Sequence, residues 1–519
     1  MTRLGAGALL AVVAGCSPSK QGGDPLLDVA NRGLSARARA DAVGPARELA
    51  QTDATRAATT RRVLKDIVWT VSEPQQLRMA ALGALIDDPD PTVQAESREM
   101  VKLLIAKEKN LAVLIYLCRG CVDRGWTDAV PSLVRSYARS VESIGWIGGV
   151  TEEERPEREA IVKLSGGKDV EAVAFETFLN PPAAERTYGV DWTERTRVDA
   201  WDLLARLDRD GERRVRMIES LPEDAGEAGG GAVAHIRRSV RDLRAMPLTG
   251  EELRWVGSLL DPKKPANAVW WEQASRAVQA LPDVGLLHVR HAEVVRWAAA
   301  TRPEWLGASR GELLATLRDR LKGRTMHQRE IESGQYRVRE RLEHWGPKLS
   351  WADLLTVLVI DEVVRQPTVV RAVASQAVLD RRDTTTEYGG ALLRKNLGLG
   401  EVVREEWVAV LYPPRPGQRQ GDQRFVASED MIAASDLALA HYHLHVQRER
   451  NGEYAGPSPG DLAYAARSGR ACVVFTSVGS GGRLNVDYYQ PDGAVIDLGE
   501  VVPPPVETDS GMKRGVGPR

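Results

Sequence analysis

The sequence predicts a multidomain chain in which an all-α N-terminal region is followed by a mixed α/β C-terminal domain. Three observations lead there. At 519 residues the chain exceeds what one hydrophobic core usually organises. From Leu26 to about Lys348 it is rich in Ala, Leu, Arg and Glu, with apolar residues at three-and-four spacing and breaks at Pro or Gly. After about residue 350 the composition changes, and a helical stretch with Leu354, Leu355, Leu358 and then Val369 to Leu379 gives way to alternating, β-branched segments separated by Gly and Pro clusters. Hydrophobic residues at 43% and charged residues at 27% exclude a mostly disordered, collagen-like or multi-span membrane chain. The 70 basic and 72 acidic side chains nearly cancel, so no global field draws the protein to nucleic acid, and no nucleic-acid partner is expected. Four cysteines in a chain this long cannot form a disulfide framework, so stability must come from packing.

The first element is an address. Residues 1–16 read MTRLGAGALLAVVAGC, one arginine ahead of an apolar run that is far shorter than the roughly 20 residues a membrane-spanning helix needs. Its ending, Val13-Ala14-Gly15-Cys16, resembles the bacterial lipobox, in which cleavage before the cysteine is coupled to acylation of its thiol. The resemblance implies a signal peptide over 1–15, a lipid anchor at Cys16 and a polypeptide held at a membrane on the extracytoplasmic side. Each buried methylene of an acyl chain adds about 0.8 kcal/mol of membrane affinity. Residues 16–24 have the small polar composition of a tether.

The next element is a helical scaffold over 25–349. Its clearest unit is residues 75–106, where Leu77, Ala81, Leu82 and Leu85 form one apolar stripe, Val93, Met100, Leu103 and Leu104 another, and Asp-Asp-Pro-Asp-Pro joins them. That pattern resembles a HEAT repeat, with weaker relatives near 193–221 and 269–300, and implies either a helical solenoid or an irregular helical domain able to hold a protein partner. Cys118-Arg119-Gly120-Cys121 sits in an apolar helical run without a second Cys pair or a nearby His, and reads as buried thiols or one local disulfide. Clusters such as Arg213-Arg214 and Arg237-Arg238 are interleaved with acids and read as a solvated helical face. Trp270, Trp271 and Trp297 stand at helix-period positions and read as core. The stretch 224–232, DAGEAGGGA, reads as a flexible loop or a linker.

The chemistry lies in the C-terminal domain, 350–502, ahead of a tail over 503–519. Three of eight histidines fall in AHYHLHV, residues 440–446. On a strand, residues two apart project from one face, so His443 and His445 aim both imidazoles at one point, which suits zinc. His441 shares that face and can replace His445 or add a third ligand. Downstream, Ser458 and Asp461 stand three apart at the start of an apparent helix, where an N-cap and a first-turn carboxylate are the plain explanation. Upstream, TTTEYGGALL places Glu387 beside two glycines on a strand entering a core.

Taken in order, Glu387, His443-Leu-His445 and Ser458-Pro-Gly-Asp461 resemble the JAMM (MPN/JAB) metallopeptidase family, over roughly residues 368–500. The resemblance implies one zinc ion held by His443, His445 and Asp461 with water in the fourth position, Glu387 as general base, and Ser458 as donor to the oxyanion. The family commonly has proline after the second histidine and a shorter loop before the serine. Here Val446 follows, and the stretch to Pro457 is longer, which reads as a subfamily difference or a substrate-specific loop. The resulting expectation is an envelope-anchored lipoprotein with a zinc-dependent peptide or isopeptide hydrolase domain on a helical scaffold. The alternative is an MPN-like interaction scaffold without turnover.

One expectation is testable on the native N-terminus. Mass spectrometry should find acyl mass on Cys16, and Cys16→Ser should yield protein that is extracted without detergent. An intact Met1 on envelope-localised protein would refute the anchor.

Overall fold

The computed structural model describes residues 23–141, 150–183, 190–208, 211–225, 231–333, 336–396 and 405–503. The expected signal segment, Cys16, the Gly-rich stretch 226–230 and the tail from 504 lie outside them. Helices follow one another from Pro25 to Asp380, interrupted by one short antiparallel ladder of Glu330–Ser333 with Tyr336–Arg339, and a mixed sheet with interspersed helices follows from Thr386. No described helix is long and apolar enough to cross a membrane. The chain divides into two compact units between Val170 and Glu171.

In the first unit, α1 (Gln75–Ile86) and α2 (Pro91–Ile105) are the predicted helix pair. Asp90 accepts from the Thr92 amide as N-cap and Pro91 occupies the first helical position, where its missing N–H costs nothing. Leu77, Ala81, Leu82 and Leu85 are buried as expected. In α2 the buried stripe is Val93, Ser97, Met100, Val101 and Leu104, whereas Leu103 is 54% exposed, because three residues from Met100 but one from Leu104 it turns away from the stripe. Two buried arginines repeat one arrangement thirty-nine positions apart. Arg39 donates through Nε to the Val29 carbonyl and pairs with Glu73, and Arg78 donates through Nε to the Val68 carbonyl and pairs with Glu108. Each thereby places a cation against carbonyls near the C-terminal end of the preceding helix. Cys118 and Cys121, on α3 (Leu111–Asp123), are free and buried, and burial raises both thiols, that of Cys121 to about 12.

In the second unit one hydrophobic core runs without a break from Leu243 to Val501, so the boundary expected at 349/350 falls inside it. The mixed sheet begins only at Thr386, after two further helices that end at Asp380. Trp270 and Trp271, on α4 (Pro265–Gln279), and Trp297 belong to this core. Arg214 corrects the reading of a solvated arginine face: it is fully buried, paired with Asp208, and donates to the Pro247 and Leu248 carbonyls. Arg237 likewise donates to carbonyls at 218–223, while Arg238 keeps the expected intrahelical pair with Asp242.

The six-stranded sheet contains β2 (Gly389–Asn396), β3 (Glu405–Leu411), β5 (Ala440–His445), β6 (Cys472–Ser477), β7 (Leu484–Tyr489) and β8 (Val495–Val501) in the order β8-β7-β6-β5-β2-β3. All its neighbours are antiparallel except β5 and β6. A two-residue strand, β1 (Thr386–Glu387), pairs in parallel with β4 (Gly421–Phe425). On one face lie α5 (Trp351–Val364) and α6 (Pro367–Asp380), tied to the sheet by Gln376, which donates to the Ala409 carbonyl and accepts from the Tyr442 hydroxyl. On the other, α7 (Pro459–Ser468) bridges the parallel pair, and Ala465 and Leu462 cover Cys472, Val474 and Tyr489.

A buried carboxylate fastens α5 to the edge strand. Asp361, fully buried, accepts from Arg320, Arg324 and Arg365, and the last two also donate to the Leu498 carbonyl on β8. Burial opposes its ionisation, but the hydrogen bonds and charge of Arg324 and Arg320 outweigh this and hold it below the usual carboxylate range. Asp361→Ala would remove the carboxylate that three guanidinium groups share and is expected to cost about 3 kcal/mol, measured by denaturant unfolding.

Candidate metal centre and its cleft

The alternation of β5 decides where the site lies. Tyr442 and Leu444 join the core beneath the helices, so His441, His443 and His445 face the other side. Glu387 arrives from β1, and its approach depends on glycine. A Cβ on Gly389 would meet the Phe425 ring at 2.3 Å and the Tyr442 carbonyl at 2.6 Å, so only glycine lets Phe425 settle there. Phe425 in turn stacks on the His443 ring, with centroids 5.1 Å apart. Asp461 comes from the first turn of α7, where Ser458 and Asp461 form a capping box. Ser458 Oγ accepts from the Asp461 amide at 3.3 Å, and Asp461 Oδ2 accepts from the Ser458 amide at 2.7 Å.

Four ligand atoms converge. His443 Nε2 lies 3.2 Å from His445 Nε2 and 3.3 Å from Asp461 Oδ2, and His445 Nε2 lies 3.8 Å from Asp461 Oδ2 and 3.2 Å from Glu387 Oε1. Glu387, His443 and His445 offer ligand atoms all within 4.8 Å of one another, a buried group that can bind a metal ion. Two ligands about 2.05 Å from a tetrahedral zinc ion stand about 3.3 Å apart, so most of these spacings are those of one coordination shell.

The imidazoles are held from behind. His445 Nδ1 donates to the Tyr454 carbonyl at 2.9 Å, which leaves Nε2 as the lone-pair nitrogen facing the centre. His443 Nδ1 lies 3.3 Å from the hydroxyl of buried Tyr489. Neither Tyr489, Tyr454 nor Phe425 was singled out from the sequence. The doublet Tyr488-Tyr489 on an alternating strand is the one trace of Tyr489, whereas Tyr454 acts through its backbone and leaves none. Tyr454 belongs to the long stretch between Val446 and Pro457, which is tied down by Asn451. Its amide donates to the Ser477 carbonyl and its side chain to the His445 carbonyl. That stretch therefore orients a metal-facing histidine.

The charge state of the cluster suits a cation. Burial raises Glu387 to about 8. His443 is penalised by burial, but the Asp461 carboxylate outweighs this and raises it, while burial and the His443 charge lower His445 to about 4. Asp461, despite its burial, is held well below the usual range by His443. Burial thus favours the protonated form of Glu387, and the Asp461 carboxylate favours the charged form of His443, so a divalent ion would supply positive charge in place of these protons. His441 stands apart: its Nδ1 meets the Tyr464 hydroxyl at 2.7 Å, its Nε2 is buried without a hydrogen-bond partner among the described residues, and burial pushes it well below the ordinary histidine value.

The centre opens into a cleft of about 980 Å³, with Glu387, His445, Ser458 and Asp461 in its wall. No family model, curated protein or solved structure matches the chain.

Metal analysis of purified protein is expected to give one zinc per chain, lost in His443→Ala and retained in His441→Ala and in the Cys118→Ser, Cys121→Ser double variant. Tyr489→Phe should weaken zinc affinity about tenfold or more, read by competition with a chelator, as loss of an outer partner does in other sites. Metal that follows the cysteines would overturn the site.

Proposed function

We propose that the C-terminal region is a zinc-dependent peptide or isopeptide hydrolase of the JAMM type, on a chain anchored to a bacterial envelope membrane through Cys16, whose helical region can hold a protein partner. The observation that carries this reading is the meeting of two Nε2 atoms, the Asp461 carboxylate and the Glu387 carboxylate at the wall of an open cleft. His443, His445 and Asp461 would hold the metal. Zinc, when bound, lowers the pKa of a water it holds to about 7 and polarises a carbonyl oxygen.

The chain's own residues do the rest. Glu387, whose proton stands in for a cation, would be ionised once a cation sits beside it, and then takes the proton of the attacking water and returns it to the leaving nitrogen. Ser458 is used twice. Its oxygen accepts from the Asp461 amide, which leaves the hydroxyl hydrogen free to be donated into the cleft, where an oxyanion donor is worth roughly 3 kcal/mol. The scaffold alternative accounts for Ser458 and Asp461 as a cap, but not for a carboxyl group buried beside His445 on a strand of two residues.

Glu387→Gln tests the assignment, since it keeps the shape and removes the basicity. It should retain zinc and lose hydrolysis about a hundred- to ten-thousand-fold against a cleaved peptide. Loss of zinc in that variant would make Glu387 a ligand instead, and undiminished turnover would end the general-base role.

A further inference from the structure

We infer that the cleft selects a peptide segment carrying carboxylates beside the scissile bond, an inference that rests on the hydrolase reading of the same site. The cleft has β4 and the residues after it on one side and the outer face of α7 on another, and an exposed arginine stands on each: Arg424 and Arg467. Arginines in this chain are habitually matched with acids. The nearest in sequence to Arg424 are Arg415, which pairs with Asp430 at 2.9 Å, and Arg419, which pairs with Asp383 at 2.9 Å. Arg424 makes no ion pair among the described residues, and Arg467 meets only the face of the Tyr464 ring, 5.9 Å from its centroid. Arg448, also in the lining, reaches Glu453 at 3.7 Å with both side chains largely exposed, a pair too weak to withhold the guanidinium from a ligand.

Against these three cations the lining offers one carboxylate outside the metal centre, Asp422. Glu387 and Asp461 are committed to the histidines. A lining with planar, permanently charged donors free of internal partners recognises carboxylates by forked hydrogen bonds, and rejects a basic segment by like charge. The net charge of the whole chain, -2, supplies no such preference, so selectivity would come from these positions alone.

The test uses the zinc-loaded full-length protein and three fluorescein-labelled peptides of equal length, alternating Glu-Gly, Ser-Gly and Lys-Gly, followed by fluorescence anisotropy. The acidic peptide should bind about tenfold or more tighter than the neutral one, with the gap narrowing between about 0.05 and 0.5 M salt as screening grows. In the Arg424→Ala, Arg467→Ala double variant, with zinc content checked as unchanged, the gap should fall below about threefold. The Arg424→Glu, Arg467→Glu variant should turn preference towards the Lys-Gly peptide. Equal binding of acidic and neutral peptides, no binding of the acidic one, or a gap that survives both double variants overturns the inference, the last because the carboxylates would then be held by the metal. Hydrolysis of a mixed peptide library is scored separately. Cleavage without acidic preference sinks this inference and leaves the hydrolase reading standing, whereas arginine-dependent acidic binding without any cleavage overturns the hydrolase reading and, with it, the placing of the carboxylates beside a scissile bond.

Discussion

The strand β5 is buried on both faces, and the two faces require opposite chemistry. Tyr442 and Leu444 belong to the apolar core beneath α5 and α6, while His441 and His443, equally buried, face polar groups. A shift of one residue in register would drive imidazoles into that core and an aromatic ring into the candidate metal centre, so the pairing of His443 with Gly389 and with Val474 is strongly specified. The other parts of the site are fixed relative to this register. Gly389 lies opposite His443 and admits Phe425 above it, and Tyr489 reaches His443 from β7, one strand beyond β6.

Buried ionisable groups are costly unless paired, and the centre contains two carboxyl groups and two imidazoles within a few ångströms. Burial raises Glu387 and, with the His443 charge, lowers His445, while the attraction between His443 and Asp461 raises the first and lowers the second. The capping box relieves part of this burden, since the Ser458 amide donates to Asp461 Oδ2 and keeps that carboxylate ionised. A helix N-terminus adds its own positive end beside the same group. The cap and the candidate ligand are one residue, so the plain structural explanation of Ser458 and Asp461 and the chemical one do not compete.

What the sequence disclosed follows from how local each signal is. The helical region, the mixed C-terminal sheet and the pairing of His443 with His445 rest on periodicity over a few residues, and the geometry has them. Glu387 and Asp461 come together with the histidines although 74 positions separate them, a juxtaposition that spacing alone does not give and that the family resemblance supplied. Three kinds of information were not legible. Arg214 carries the same local pattern as a surface arginine, and only the distant Pro247 and Leu248 carbonyls reveal why it is buried. The continuity of the core across residue 350 depends on helices and strands far apart in sequence, as when Trp255 donates to the Asp436 carbonyl. The His445 imidazole is supported by the backbone carbonyl of Tyr454, so the Tyr454 side chain leaves no signal of it.

That last contact changes how the long stretch after Val446 is understood. Its length alone reads as a subfamily difference or a substrate-specific loop, since loop closure grows costlier only slowly with length. Instead the stretch is pinned at both ends of its path. Asn451 binds the Ser477 and His445 carbonyls, and Arg329, itself paired with buried Glu340, donates to the Pro457 carbonyl immediately before Ser458. Arg329 and Glu340 also flank the approach to Gly456, where a Cβ would lie 2.1 Å from Glu340 Oε1 and where φ is +81°, so glycine is required twice over. The segment between the histidines and the serine is thus a strut fixed on independent anchors. It sets the orientation of His445 at one end and the position of the Ser458-Asp461 cap at the other, and so holds the two halves of the candidate metal centre in register.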